Sequence, residues 1–210
     1  MKTKKRSKFR KTSAKTQKNW IYKNFQQSLD YLPKIKKHFV FSLILFLVIT
    51  ALGFFFPIFF EKEILKLIEE LIKLTAGMNT LELISFIIFN NLKSALFAMI
   101  LGIFFGIIPI GVIIINAYVL GFVANKTVLA KGTFVLWRLF PHGIFEIPAV
   151  LISTALGMKL GFFLFSRHEK NKTKEFWKWI KDVLRVFLLV VIPLLVIAGI
   201  IEGLLIGLLE

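Results

Sequence analysis

The 210-residue chain is 57 % hydrophobic by composition, contains 24 Phe and no Cys, and has a formal net charge of +16. Soluble domains are only about 45–50 % apolar, so an ordinary soluble fold is excluded. The missing cysteine excludes a disulfide framework and thiol chemistry.

Residues 1–38 hold 13 Lys/Arg and a single acid, Asp30. A basic cytoplasmic tail, largely disordered, is expected over residues 1–37. Residues 39–60, FVFSLILFLVITALGFFFPIFF, carry no charge. As a helix they would reach roughly 33 Å, about the thickness of a bilayer's hydrocarbon core. The first span is therefore placed at 38–60, and it is too long for a cleaved signal segment. EKEILKLIEELIKL follows, with Ile64, Leu67, Ile68, Leu71 and Ile72 on one helical face. This predicts an amphipathic outer segment at 61–78. Asn79 followed by Glu82 reads as a capping box opening a helix at about Thr80.

Residues 94–125 are again uncharged, and Pro109 and Gly111 interrupt them near the middle. Two full spans need roughly 40 residues. The expected elements are thus short spans at 92–109 and 111–129, or a re-entrant hairpin. Either returns the chain to the side it left. A fourth element is expected at 139–165. A basic cytoplasmic loop is expected at 166–185, since Arg167 to Arg185 holds seven Lys/Arg against three acids. A last span is expected at 186–208. Residues 61–82 hold five Glu against three Lys, so the cations cluster on one side, as the positive-inside rule demands. The expectation is an all-α, polytopic bundle of about five membrane elements, with its N-terminus cytoplasmic and its C-terminus outside. Residues 38–210 form the transmembrane domain, in the cytoplasmic membrane. The basic segments suit anionic lipid. Nucleic-acid binding is not expected, because no nucleic-acid motif or aromatic platform accompanies them.

Three GxxxG pairs stand out: Gly102/Gly106, Gly157/Gly161 and Gly199/Gly203. Small residues four apart let helices approach closely in lipid. They predict tight packing within the chain and are compatible with a homodimer face. LGIFFG also aligns with LGMKLG, so that Asn91 and Glu146 each lie eleven residues before the first glycine.

Polar residues at membrane depth form the second pattern: Asn91, Asn116, His142, Glu146 and Glu202. His142 and Glu146 share a helical face within PHGIFEIPA, residues 141–149. Pro148 lacks an N–H and frees the carbonyl of Ile144, which a protonated side chain nearby would satisfy. A buried carboxylate is costly, and intramembrane ionisable groups are functional candidates. A structural polar lock and a site for an ion, proton or small ligand both remain open. HxxxE alone is a thin metal signature, so no metal, cofactor or catalytic machinery is expected.

These residues carry a resemblance. Asn90-Asn91, Ala95, Gly102, Gly106, Pro109, Asn116, Gly121, PHGIFEIPA, Ala155, Gly157, Gly161 and the Ile-Glu of AGIIEG together resemble the stage II sporulation protein M family, over roughly residues 38–205. The resemblance implies a membrane protein of about five spans. The family's sporulating members act as anchors that hold peptidoglycan-degrading partners at the engulfing membrane. It identifies Asn116, His142, Glu146 and Glu202 as the family's polar signature. The expected function is a non-enzymatic scaffold organising envelope or membrane protein partners. The alternative is a small transporter or channel using the His142/Glu146/Glu202 cluster.

Overall fold

The computed structural model describes residues 19–103, 106–165 and 172–209. Of the tail expected over residues 1–37, residues 1–18 lie outside the described residues, as does the first part of the basic loop, 166–171; residues 19–37 are helical on either side of a turn at 30–31 rather than disordered. A helix at residues 19–29 (α1) is followed by α2 (Leu32–Phe55), α3 (Glu61–Thr75), α4 (Thr80–Ile100), α5 (Ile107–Lys131), α6 (Phe140–Phe165), α7 (Lys172–Val186) and α8 (Ile192–Leu209). Among the described residues there is no strand. Five helical stretches are long and apolar enough to cross a membrane: Leu32–Phe55, Thr80–Ile100, Ile107–Lys131, Gly143–Phe162 and Lys174–Leu208. The chain is a multi-pass helical membrane protein.

Several boundaries differ from the sequence expectation. The first span begins at Leu32 rather than residue 38, with Pro33 in its first turn, where a fixed φ and a missing N–H suit a helix start. Lys34, Lys36 and Lys37 are exposed along that turn. Charges in that turn do not stop the helix, because a lysine stem can carry its charge to the interface. The same helix stops at Phe55, and Phe56 has left it, with φ −128°, as expected for a residue before proline.

The expected span at 92–109 is part of a helix that starts at Thr80, and the one at 111–129 extends to Ile107–Lys131. The Asn79 side chain accepts hydrogen bonds from the Leu81 and Glu82 N–H groups, and the Glu82 carboxylate accepts one from the Asn79 N–H. The helix then runs straight through Asn90, Asn91 and Lys93. Both hairpin legs are therefore long enough to cross. The first leg leaves its α-helix at Leu101–Ile103 and the second starts after Gly106, so the break does not fall at Pro109 and Gly111. Gly106 has φ 70°, a left-handed turn open to glycine. Pro109 sits in the first turn of α5, where proline is tolerated. The expected loop at 166–185 contains α7, which continues through a π-helical turn at Phe187–Val191 into α8.

α6 is the hub. It packs against α2, α4, α5 and α8, and its residues Leu151 to Met158 are all buried. Gly157 lies so close to Ala98 and Gly102 that a Cβ on either glycine would strike backbone. α2 and α5 are parallel: Phe46 packs with Ile113 and Ala117, and further along Gly53 and Gly121 meet the opposing backbones. α4 and α8 are antiparallel, with Gly199 against Ile88, Gly203 against Ile84 and Gly207 against Thr80. Without a hydrophobic force between helices in lipid, this van der Waals fit is what holds them. The start of α2 and the end of α6 share one end of the bundle, where Lys159 Nζ donates to the Lys34 carbonyl at 3.0 Å. α3 lies at the other end. Glu61 pairs with Lys126 of α5, and the Tyr118 hydroxyl clasps the α2–α3 turn, donating to the Phe56 carbonyl and accepting from the Phe59 N–H.

Candidate functional site

The polar residues singled out by sequence do not gather into one cluster. Glu146 on α6 and Glu202 on α8 are both partly buried, on two helices that pack against each other. Gly203, next to Glu202, packs on Ile84 of α4. Glu202 therefore occupies the layer about one turn inside the capped start of α4. Neither carboxyl makes a hydrogen bond among the described residues. The helical setting explains the juxtaposition. Pro148 lies inside α6, two residues beyond Glu146, and Gly199 and Gly203 bring the α8 backbone close to α4 on the same side.

Asn91 is partly buried on α4, about a turn deeper than Ile88. Asn116 stands apart. It is exposed on α5, where its amide donates to the Val112 carbonyl at 2.8 Å. His142 belongs to the first turn of α6, and its side chain lies outside the described residues. Its pairing with Glu146 therefore stays a sequence expectation. Among the described residues, no three His, Asp or Glu side chains converge as a metal centre would require.

A second polar assembly, at the opposite end of the bundle, was not anticipated. Lys159 Nζ lies 4.8 Å from the ring centre of Tyr31 and 5.4 Å from that of Trp179. The two rings meet edge to face at 6.3 Å. Lys34 Nζ is also near the Tyr31 ring, at 5.4 Å. Tyr31 is only 3 % exposed, and among the described residues its hydroxyl has no hydrogen-bond partner. Burial, and secondarily the Asp182 carboxylate, push that hydroxyl above its ordinary value of 10. Arg185 ties this corner to α1, donating to Asn24 at 3.0 Å and to Asp182 at 2.8 Å. The sequence signal was present: Phe176, Trp179, Val183 and Val186 recur at helical spacing through the basic segment. The charge density concealed it.

Comparison with known proteins fits this architecture. The profile of the family described as stage II sporulation protein M matches residues 42–205. The chain belongs to the stage II sporulation protein M family. The match takes in both carboxylates, Asn91, Asn116 and PHGIFEIPA. It omits α1, Tyr31 and Lys34. Two uncharacterised proteins of Methanocaldococcus jannaschii are similar to this family member. One is 36 % identical over 137 residues, 64 % of this chain and 60 % of the relative. The other is 37 % identical over 123 residues, 55 % of this chain and 66 % of the relative. The matched regions span less than two thirds of either relative's length. No solved structure matches.

Proposed function

We propose that this protein is a non-catalytic scaffold of the cytoplasmic membrane, with its N-terminus inside and its C-terminus outside. The observation that carries the reading is the filled centre of the bundle. Leu151, Ile152, Ala155 and Leu156 of the hub helix are all buried, and Gly157 sits against the Ala98 and Gly102 backbones. A rigid, close-packed hub suits a platform better than a solute path. The three GxxxG pairs serve this packing in the proposed reading. The positive-inside rule supports the orientation, because the basic α2 start and α7 share one end. The platform offers partners two surfaces. Outside is α3, where Leu67, Ile72 and Leu74 are exposed beside four glutamates. Inside is α7, with exposed Trp177, Lys174, Lys178 and Lys181. What the scaffold holds is a membrane or envelope protein partner. No cofactor is required.

One observation favours a second reading: Glu146 and Glu202 are partly buried on two helices that pack against each other, and two intramembrane carboxyls brought together are able to share a proton or cation, as in a small transporter. Glu146→Gln separates the two. Gln keeps the shape and hydrogen-bonding capacity of a neutral Glu. The scaffold reading expects wild type and variant, purified in detergent, to match in thermal stability and oligomeric state and to stay flat between about pH 5 and 9. A pH- or ion-dependent transition present in wild type and lost in the variant would replace the scaffold with a transport site.

A further inference from the structure

We propose that the chain self-associates through the inner half of α5, across a two-fold axis on which Asn116 meets its own copy. The inference is independent of the scaffold reading.

The GxxxG glycines expected to mark a dimer face are already in use. Gly102 and Gly157 face each other, and Gly199 and Gly203 are occupied by Ile88 and Ile84 of the same chain. The unoccupied surface lies elsewhere. On the first four turns of α5, Ile113 and Ala117 are buried while Ile115 is 65 % exposed and Asn116 is exposed beside it. Val112 and Val119 continue this face at helical spacing. It is a seam of β-branched residues broken by one polar side chain.

Asn116 is about 14 Å along α5 from Ile107, close to the bilayer midplane. There no water serves an amide. One of its two N–H groups bonds the Val112 carbonyl. The other N–H and the oxygen have no partner among the described residues. A second copy of this chain answers both groups. Inserted with the same topology, it presents the same amide at the same depth, and a two-fold axis makes each donor face the other's acceptor. A single asparagine in a β-branched seam fixes register and favours pairs. The other exposed polar face, on α4, does not fit a two-fold pair. It carries Lys93, and like charges would meet at the axis.

The absence of native cysteine makes the test direct. In the full-length protein in native membranes, Ile115→Cys and Val119→Cys should form disulfide-linked dimers on mild oxidation. Pairing requires Cα atoms within about 7 Å. Leu47→Cys, exposed on α2, and Phe89→Cys, exposed on α4, should stay monomeric. Asn116→Leu should weaken dimerisation roughly 8- to 900-fold, the range of the two interhelical hydrogen bonds in lipid that the symmetric pair loses. Asn116→Gln should recover part of the loss. Asn116 lies outside the core, so the melting temperature of the detergent monomer should barely move, which separates lost pairing from lost folding. A wild-type protein that stays monomeric in lipid nanodiscs, crosslinking at Phe89→Cys in place of Ile115→Cys, or a dimer indifferent to Asn116→Leu would each overturn the proposal. Monomeric wild type would leave the face to a different membrane protein.

Discussion

Tyr31 is a large polar residue enclosed at the Lys159 end of the bundle, only 3 % exposed. Its ring is shared by Lys34, Lys159 and Trp179, while its hydroxyl bonds nothing among the described residues. The ring and the hydroxyl therefore have opposite energetic roles. Tyr31→Phe keeps the ring and removes an unsatisfied buried group, so stability should stay level or rise by up to about 1 kcal/mol. A loss of more than that in chemical unfolding would mean the hydroxyl is bonded. The direction with pH also follows. Burial holds the phenol neutral in the folded state beyond its ordinary value of 10. Its contribution is complete below that pH and is lost as pH rises through the folded value. The wild type should weaken above about pH 10, and Tyr31→Phe should weaken less. Lys159 acts through both rings and through the Lys34 carbonyl. Lys159→Met, which keeps most of the stem, should cost about 1–2 kcal/mol.

The elements show which sequence signals are local and which are not. The capping box at Asn79 and Glu82 was legible because all its partners lie within four residues. Its worth is testable on the same terms. Asn79→Ala removes the acceptor for the Leu81 and Glu82 N–H groups, at 3.0 and 3.1 Å, and should lower stability by about 1 kcal/mol. Glu82→Gln retains the return bond and should cost less. An Asn79→Ala protein as stable as wild type, in the same detergent, would show that packing alone fixes the start of α4. The start of the hairpin's first leg was misplaced for the opposite reason. Asn90, Asn91 and Lys93 look like a boundary in sequence. In the bundle, Asn91 is partly buried and Lys93 reaches along its own helix to within 5.9 Å of the Phe97 ring. A lysine stem can carry its charge toward the interface while the backbone stays helical. The Glu146–Glu202 approach was less legible still. The two residues are 56 positions apart in sequence, and only the α6–α8 packing joins them.

For the whole molecule, glycine decides how near the helices come, and two glycines of similar sequence setting predict opposite outcomes. Gly157 is pressed against the carbonyls of Ala98 and Met99 on one side, with Gly102 beside it. The obstruction is backbone, so no side chain can swing away. Adding a methyl there must separate α4 from α6, and α6 carries the contacts to α2, α5 and α8 as well. Gly157→Ala should destabilise by about 1–3 kcal/mol, the usual cost of overpacking, and larger residues should prevent a monodisperse protein from being purified. Gly111, on α5, has nothing within 4 Å of where a Cβ would go. Gly111→Ala therefore adds helix propensity without a clash and should stabilise the detergent monomer by up to about 1 kcal/mol. Thermal unfolding of the two variants side by side checks the assignment. A neutral Gly157→Ala would mean that α4 and α6 are not in backbone contact at Gly102. The filled centre on which the scaffold proposal stands would then be lost with it.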